Sequence, residues 1–117
     1  MGAALEVSGG FDGGGQRPRD VNKFLSYSSP VESQTSLPAG TTTYPLMIFY
    51  SKTIIPASFK AVLNGVDISS RFSPTPGGHQ SVTLNVQQGR NVLVLSVDGN
   101  LPTRIATDTD RLVFVIP

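Results

Sequence analysis

Ser58-Phe59-Lys60-Ala61-Val62-Leu63-Asn64-Gly65-Val66-Asp67-Ile68-Ser69-Ser70-Arg71-Phe72 is the stretch whose reading decides the fold. Asn and Gly both accept positive φ, so the two-residue Asn64-Gly65 loop predicts a type I′ turn closing an antiparallel hairpin. That turn sets Leu63 opposite Val66, Ala61 opposite Ile68 and Phe59 opposite Ser70. One face then carries Phe59, Ala61, Leu63, Val66, Ile68 and Phe72, and the other Ser58, Lys60, Asp67, Ser69 and Arg71. A slip of one residue would mix the two sets, so turn chemistry and hydrophobic pattern specify the same register. Val62 alone does not fit.

Strand signals repeat on either side of the hairpin. Residues 23–28 and 42–50 precede it, the second apolar on both faces as a central strand requires, with Pro45 near its start where a missing donor is tolerated. After it, residues 81–87 alternate cleanly, with Val82, Leu84 and Val86 inward and Ser81, Thr83, Asn85 and Gln87 outward. Residues 91–97 are almost continuously apolar, and residues 111–116 close the set. Helix signals are nearly absent, because no stretch of a dozen residues after position 20 keeps a 3.6-residue apolar period free of Pro and Gly. With the two arms of the hairpin, 58–63 and 66–72, these segments predict an all-β fold: a seven-stranded antiparallel β-sandwich. Residues 87–90 admit two connections, a hairpin within one sheet or an arch between sheets.

Length and composition set the outer bounds. A chain of 117 residues can bury one core without metal or disulfide help. Five glycines and a proline between Gly9 and Asp20 make residues 1–20 read as a flexible linker, leaving 21–117 as the β-sandwich domain. A phosphate-cradling reading of those glycines fails, since no Lys-Ser/Thr pair follows them. Only 15% of residues are charged and the net charge is +1, so no field forms that would concentrate nucleic acid. No run reaches the roughly 20 apolar residues that cross a bilayer, so membrane insertion is not expected. The absence of cysteine excludes thiol nucleophiles, disulfides and cysteine-ligated metals. Low charge with abundant Ser, Thr, Gly and Asn fits an extracellular, cell-surface or periplasmic module; Met1-Gly2-Ala3-Ala4-Leu5 is too short for the apolar core of a signal peptide, and Met1-Gly2 reads as the start of a segment cut from a longer exported protein.

Two motifs resemble bacterial immunoglobulin-like and fibronectin type III-like modules of secreted and surface proteins. Ala61-Val62-Leu63-Asn64-Gly65-Val66-Asp67-Ile68 is similar to their LNG-x-D-[IV] hairpin, and Gln87-Gln88-Gly89-Arg90-Asn91-Val92-Leu93 to their G-x-N-x-[IL] arch between sheets. The chain departs from antibody domains in lacking Trp and a cysteine pair. The resemblance implies an immunoglobulin-like or fibronectin type III-like sandwich with Asn64, Gly65 and Gly89 as structural turn residues. It also implies loops sorted to two ends, with Asn64-Gly65 and Gly89-Arg90 at one and residues 51–56, 73–80 and 98–110 at the other.

Candidate chemistry is sparse. Thr107-Asp108-Thr109-Asp110-Arg111 presents two carboxylates on one face of an extended chain, and Asp98 is expected at the same end, so Asp98, Asp108 and Asp110 are the candidate hard-oxygen ligands for Ca²⁺. The competing reading has these groups bonding local backbone in turns. His79, the single histidine, follows Pro76-Gly77-Gly78 and is expected exposed; no Gly-x-Ser-x-Gly elbow accompanies it, and the chain is read as not an enzyme. Tyr27, Tyr44, Tyr50, Phe49, Phe59 and Phe72 read mainly as core, with Tyr27 or one face of residues 42–50 left for sugar stacking. The function expected is a non-catalytic structural or spacer module working with other domains of the same chain. The alternative is a protein- or carbohydrate-binding accessory module that uses end loops or an exposed sheet edge.

Overall fold

The computed structural model describes residues 6–11, 24–29 and 40–116. They form eight strands, β1 Glu6–Phe11, β2 Leu25–Ser28, β3 Thr43–Tyr50, β4 Ile54–Leu63, β5 Val66–Asp67, β6 His79–Asn85, β7 Gly89–Asn100 and β8 Ile105–Ile116. The chain is all-β, and every strand pairing is antiparallel. A five-stranded sheet has the order β1-β8-β7-β4-β5, and a three-stranded sheet the order β2-β3-β6.

Period-two alternation explains how the sheets meet. Tyr44, Leu46, Ile48 and Tyr50 on β3, Val82 and Leu84 on β6, Leu93, Leu95 and Val97 on β7, and Leu112, Phe114 and Ile116 on β8 are all buried in one cluster. Tyr44 and Phe114 stack across the two sheets with ring centroids 4.3 Å apart. Each fully buried Leu, Ile or Val contributes roughly 1.5–3 kcal/mol, so this shared inner layer is what drives the sheets together.

The Asn64-Gly65 turn forms as expected. Asn64 (φ 49°) and Gly65 (φ 83°) both lie in the left-handed region, Leu63 pairs with Val66, and the Ile68 N–H donates to the Ala61 carbonyl at 2.9 Å. The second arm departs from expectation: only Val66–Asp67 is strand, and a single 3-10 turn over Ser69–Arg71 replaces the rest. The cause is local, since Asp67 Oδ1 accepts the Ser69 N–H at 2.8 Å and the Ser69 hydroxyl accepts the Ala61 N–H at 2.9 Å. Side-chain bonds of this kind compete with the ladder and end it. Val66, expected inside, is 63% exposed.

Three further expectations change. Glu6–Phe11, within the segment read as linker, pairs with β8 as an edge strand, whereas the remainder of residues 1–20 lies outside the described residues. The connection at residues 87–90 is the arch, because β6 and β7 belong to different sheets. The expected loop over residues 98–110 is largely strand: β7 and β8 form a 12-residue by 12-residue hairpin closed at residues 101–104.

One close approach brings the segment before β2 onto β7. A Cβ built on Gly99 of β7 would lie 2.7–2.8 Å from the Phe24 ring, so that ring rests on bare backbone. On the neighbouring strand, β4 bulges. Residues 56–59 face only Val97, and Ser58 closes the gap by donating to the Ile55 carbonyl at 2.6 Å and accepting the Asp98 N–H at 2.7 Å.

Gly65 has nothing within 4 Å of an added Cβ, so its requirement is purely conformational. Gly65→Val is expected to lower stability by about 1 kcal/mol or more, read from the shift in urea midpoint at unchanged m-value. An unshifted midpoint would refute the I′ turn.

Candidate functional site

Asp108 and Asp110 are not at a loop end. Both lie on the inner face of β8 with no solvent exposure, in frame with Ala106, Leu112, Phe114 and Ile116. A buried carboxylate without partners costs several kcal/mol, and here the partners come from β2 of the opposite sheet. Asp108 Oδ2 accepts the N–H groups of Phe24 at 2.8 Å and Leu25 at 3.1 Å, and Asp110 Oδ2 accepts the Tyr27 hydroxyl at 2.6 Å. Asp108 Oδ1 is buried with no hydrogen-bond partner among the described residues. The four-residue strand β2 is thereby tied to β8 as well as to β3.

Asp98 does not join this pair. It lies on the other face of the five-stranded sheet, where its Oδ1 accepts the hydroxyl of Thr107, its cross-strand partner, at 2.6 Å. Strand alternation therefore puts the sheet itself between Asp98 and the Asp108/Asp110 pair. Among the described residues no group of His, Asp, Glu or Cys converges in a way that could hold a metal ion.

The tyrosines follow the same inward logic. Burial, then the negative charge of Asp110 and the hydrogen bond to it, with smaller contributions from Asp108 and Tyr50, hold the Tyr27 phenol well above its ordinary value. Burial alone pushes the Tyr50 phenol up, and its hydroxyl donates to Gln80 Oε1 at 2.5 Å, the same oxygen that accepts the Ser73 N–H at 2.7 Å. Tyr27 is thus no outward sugar platform. The aromatic left on the surface of β3 is Phe49, 40% exposed and 5.6 Å between centroids from His79, itself exposed at the start of β6.

At the opposite end the two turn motifs meet. Asn64 acts like one more residue of β4, donating its N–H to the Val92 carbonyl at 2.8 Å while its Oδ1 accepts the Val92 N–H at 2.9 Å. Its Nδ2 donates to Oδ1 of Asn91 at 2.9 Å, and that oxygen also accepts the Gln87 N–H at 3.0 Å. Asn91, fully buried, donates Nδ2 to the carbonyls of Gln87 at 2.9 Å and Gly89 at 3.2 Å. Gly89 supplies the positive φ of 81° that turns the arch into β7. Beside this knot a depression of about 340 Å³ opens between the β5 and β6 edges, lined chiefly by Leu63, Val66, Ile68, Arg71, Asn85 and Val86.

Against protein-family models, curated proteins and solved structures, the chain shows no match. Among the described residues no helix is long and apolar enough to cross a membrane.

Removing the Asp108 carboxylate strands two buried N–H groups, at about 1–3 kcal/mol each. Asp108→Ala should therefore cost more than Asp108→Asn, which keeps an oxygen acceptor; equal losses in chemical denaturation would contradict the clamp. Alkaline behaviour offers a second check. Both tyrosines have folded-state values above the unfolded one, so their contribution is fully present below about pH 10 and is lost as pH rises further, by up to about 1.4 kcal/mol per pH unit for each retained proton. Tyr27→Phe should reduce the slope of stability against pH above 10, and an unchanged slope would show that Tyr27 ionises freely.

Proposed function

We propose that this chain is a non-catalytic structural module, an immunoglobulin-like or fibronectin type III-like β-sandwich, acting as a spacer among other domains of a larger exported protein. The observation that carries the reading is what its acidic residues do. Asp108 and Asp110, two of the three carboxylates best placed in sequence for ion binding or acid–base work, are buried and accept hydrogen bonds from the opposite sheet. A group so engaged stabilises the fold and is closed to substrate. The architecture is supported by the two resembling motifs, which lie hydrogen-bonded to each other through Asn64 and Asn91. Low charge and the large share of uncharged polar residues support export.

A binding accessory module is the second reading, and the exposed Phe49–His79 pair on the three-stranded sheet is the observation that favours it. An aromatic on a flat outer face is the kind of surface on which a sugar ring stacks.

Two measurements separate the readings. Millimolar calcium is expected to leave the amide resonances of Asp98, Asp108 and Asp110 and the melting temperature unchanged, whereas a rise of several degrees would make the carboxylates ligands. On a glycan array the chain is expected to give no signal. A reproducible signal abolished by Phe49→Ala would transfer the proposal to carbohydrate binding.

A further inference from the structure

Edge strands carry unpaired N–H and C=O groups, and folded proteins blunt them with charge, proline, bulges or brevity. Most edges here are blunted. The part of β4 beyond the β5 pairing has Pro56, the bulge at residues 56–59 and Lys60. Strand β5 is two residues long and includes Asp67. Strand β2 has four residues and is tied to β8 through its backbone and Tyr27. Strand β6 has none of these devices. It is an edge of the three-stranded sheet, seven residues long, in unbroken register with β3, and His79-Gln80-Ser81-Val82-Thr83-Leu84-Asn85 contains no Lys, Arg, Asp, Glu or Pro.

The direction of its free groups follows from the ladder. The Val86 N–H donates to the Thr42 carbonyl, and the Tyr50 N–H to the Gly78 carbonyl, so even-numbered residues of β6 bond towards β3. Alternation in an antiparallel pair then turns the N–H and C=O of Ser81, Thr83 and Asn85 outward, to an edge that no strand among the described residues pairs. Their side chains are exposed on the outer sheet face, whereas Val82 and Leu84 are buried.

We propose that β6 is a pairing edge at which two copies of this chain join in a two-fold antiparallel β6–β6 ladder centred on Thr83. The strand is self-complementary in that arrangement. Thr83 faces Thr83 of the other copy, Ser81 faces its Asn85, and all of these residues belong to the set whose backbone groups point outward. Threonine opposite threonine and small polar opposite polar are favourable cross-strand pairs, and no like charges meet. Val82 and Leu84 fall opposite Leu84 and Val82 of the other copy on the inner side, so the apolar layer continues across the dyad. The depression between β5 and β6 begins at Asn85, where the incoming strand runs alongside it and screens the exposed Val66. A C2 contact of this kind uses one patch twice and closes on itself, which stops growth at the dimer.

Sedimentation equilibrium of the full chain from micromolar to millimolar concentration tests this, with hydrogen exchange read over the same range. The mass is expected to rise from 12.4 kDa to twice that value. Exchange at Ser81, Thr83 and Asn85 should slow with concentration while Val82 and Leu84, already bonded to β3, stay unchanged. Thr83→Lys places like charges at the dyad without altering the backbone and should weaken dimerisation roughly tenfold or more at an unchanged monomer melting temperature. Thr83→Pro removes an edge-facing N–H that β3 does not use, and should do the same. A mass that stays at the monomer value at millimolar concentration overturns the proposal, as does a dimer that Thr83→Lys leaves intact or whose protection falls on another strand.

Discussion

Everything in the arrangement of the two sheets depends on two carboxylates of β8 that reach across to β2. Strand β2 is four residues long, and the N–H groups of Leu25 and of Phe24 just before it bond the other sheet. Asp108 answers both of them and Asp110 answers Tyr27. A buried donor or acceptor left without its partner costs about 1–3 kcal/mol, which makes these bonds obligatory once the sheets close. Hydrophobic burial supplies most of the driving force but is indifferent to direction. The carboxylates specify which segment of the chain lies over β8.

The far end is held by different chemistry. Two asparagines, one on the hairpin and one on the arch, use amide groups as extra peptide units: Asn64 continues β4 against Val92, and Asn91 fills the hollow of the arch. Neutral amides suit this place because they both donate and accept, so one side chain satisfies several backbone groups without a buried charge. Long strands β7 and β8 carry these two ends and keep them in register.

How much of this was legible in the sequence depended on whether polarity and position agreed. The Asn64-Gly65 hairpin was readable because turn geometry and apolar alternation gave independent routes to one register. The β6 alternation was readable for the same reason. The strand through Asp108 and Asp110 was hidden. Thr107, Thr109 and Arg111 face out and the two aspartates face in, so both faces look polar and a period-two pattern disappears into what resembles a loop. The frame was nevertheless present, since Asp108 and Asp110 keep step with Leu112, Phe114 and Ile116. Reading that frame backwards from the apolar end would have found them inside. Their partners were beyond reach of any local pattern, lying more than 80 residues earlier in the chain. The truncation of the second hairpin arm had a local cause in Asp67 and Ser69, but nothing in hydrophobicity signals that a side-chain bond will outcompete a ladder bond.

The Phe24 ring seated on Gly99 extends beyond packing. A ring resting on a backbone with no Cβ makes two distant positions share one volume, so neither can change size alone. Sequences that fold the same way are then constrained as a pair: bulk gained on β7 must be surrendered ahead of β2. The limit that this contact sets on the two positions is one of shape alone, without any electrostatic recognition.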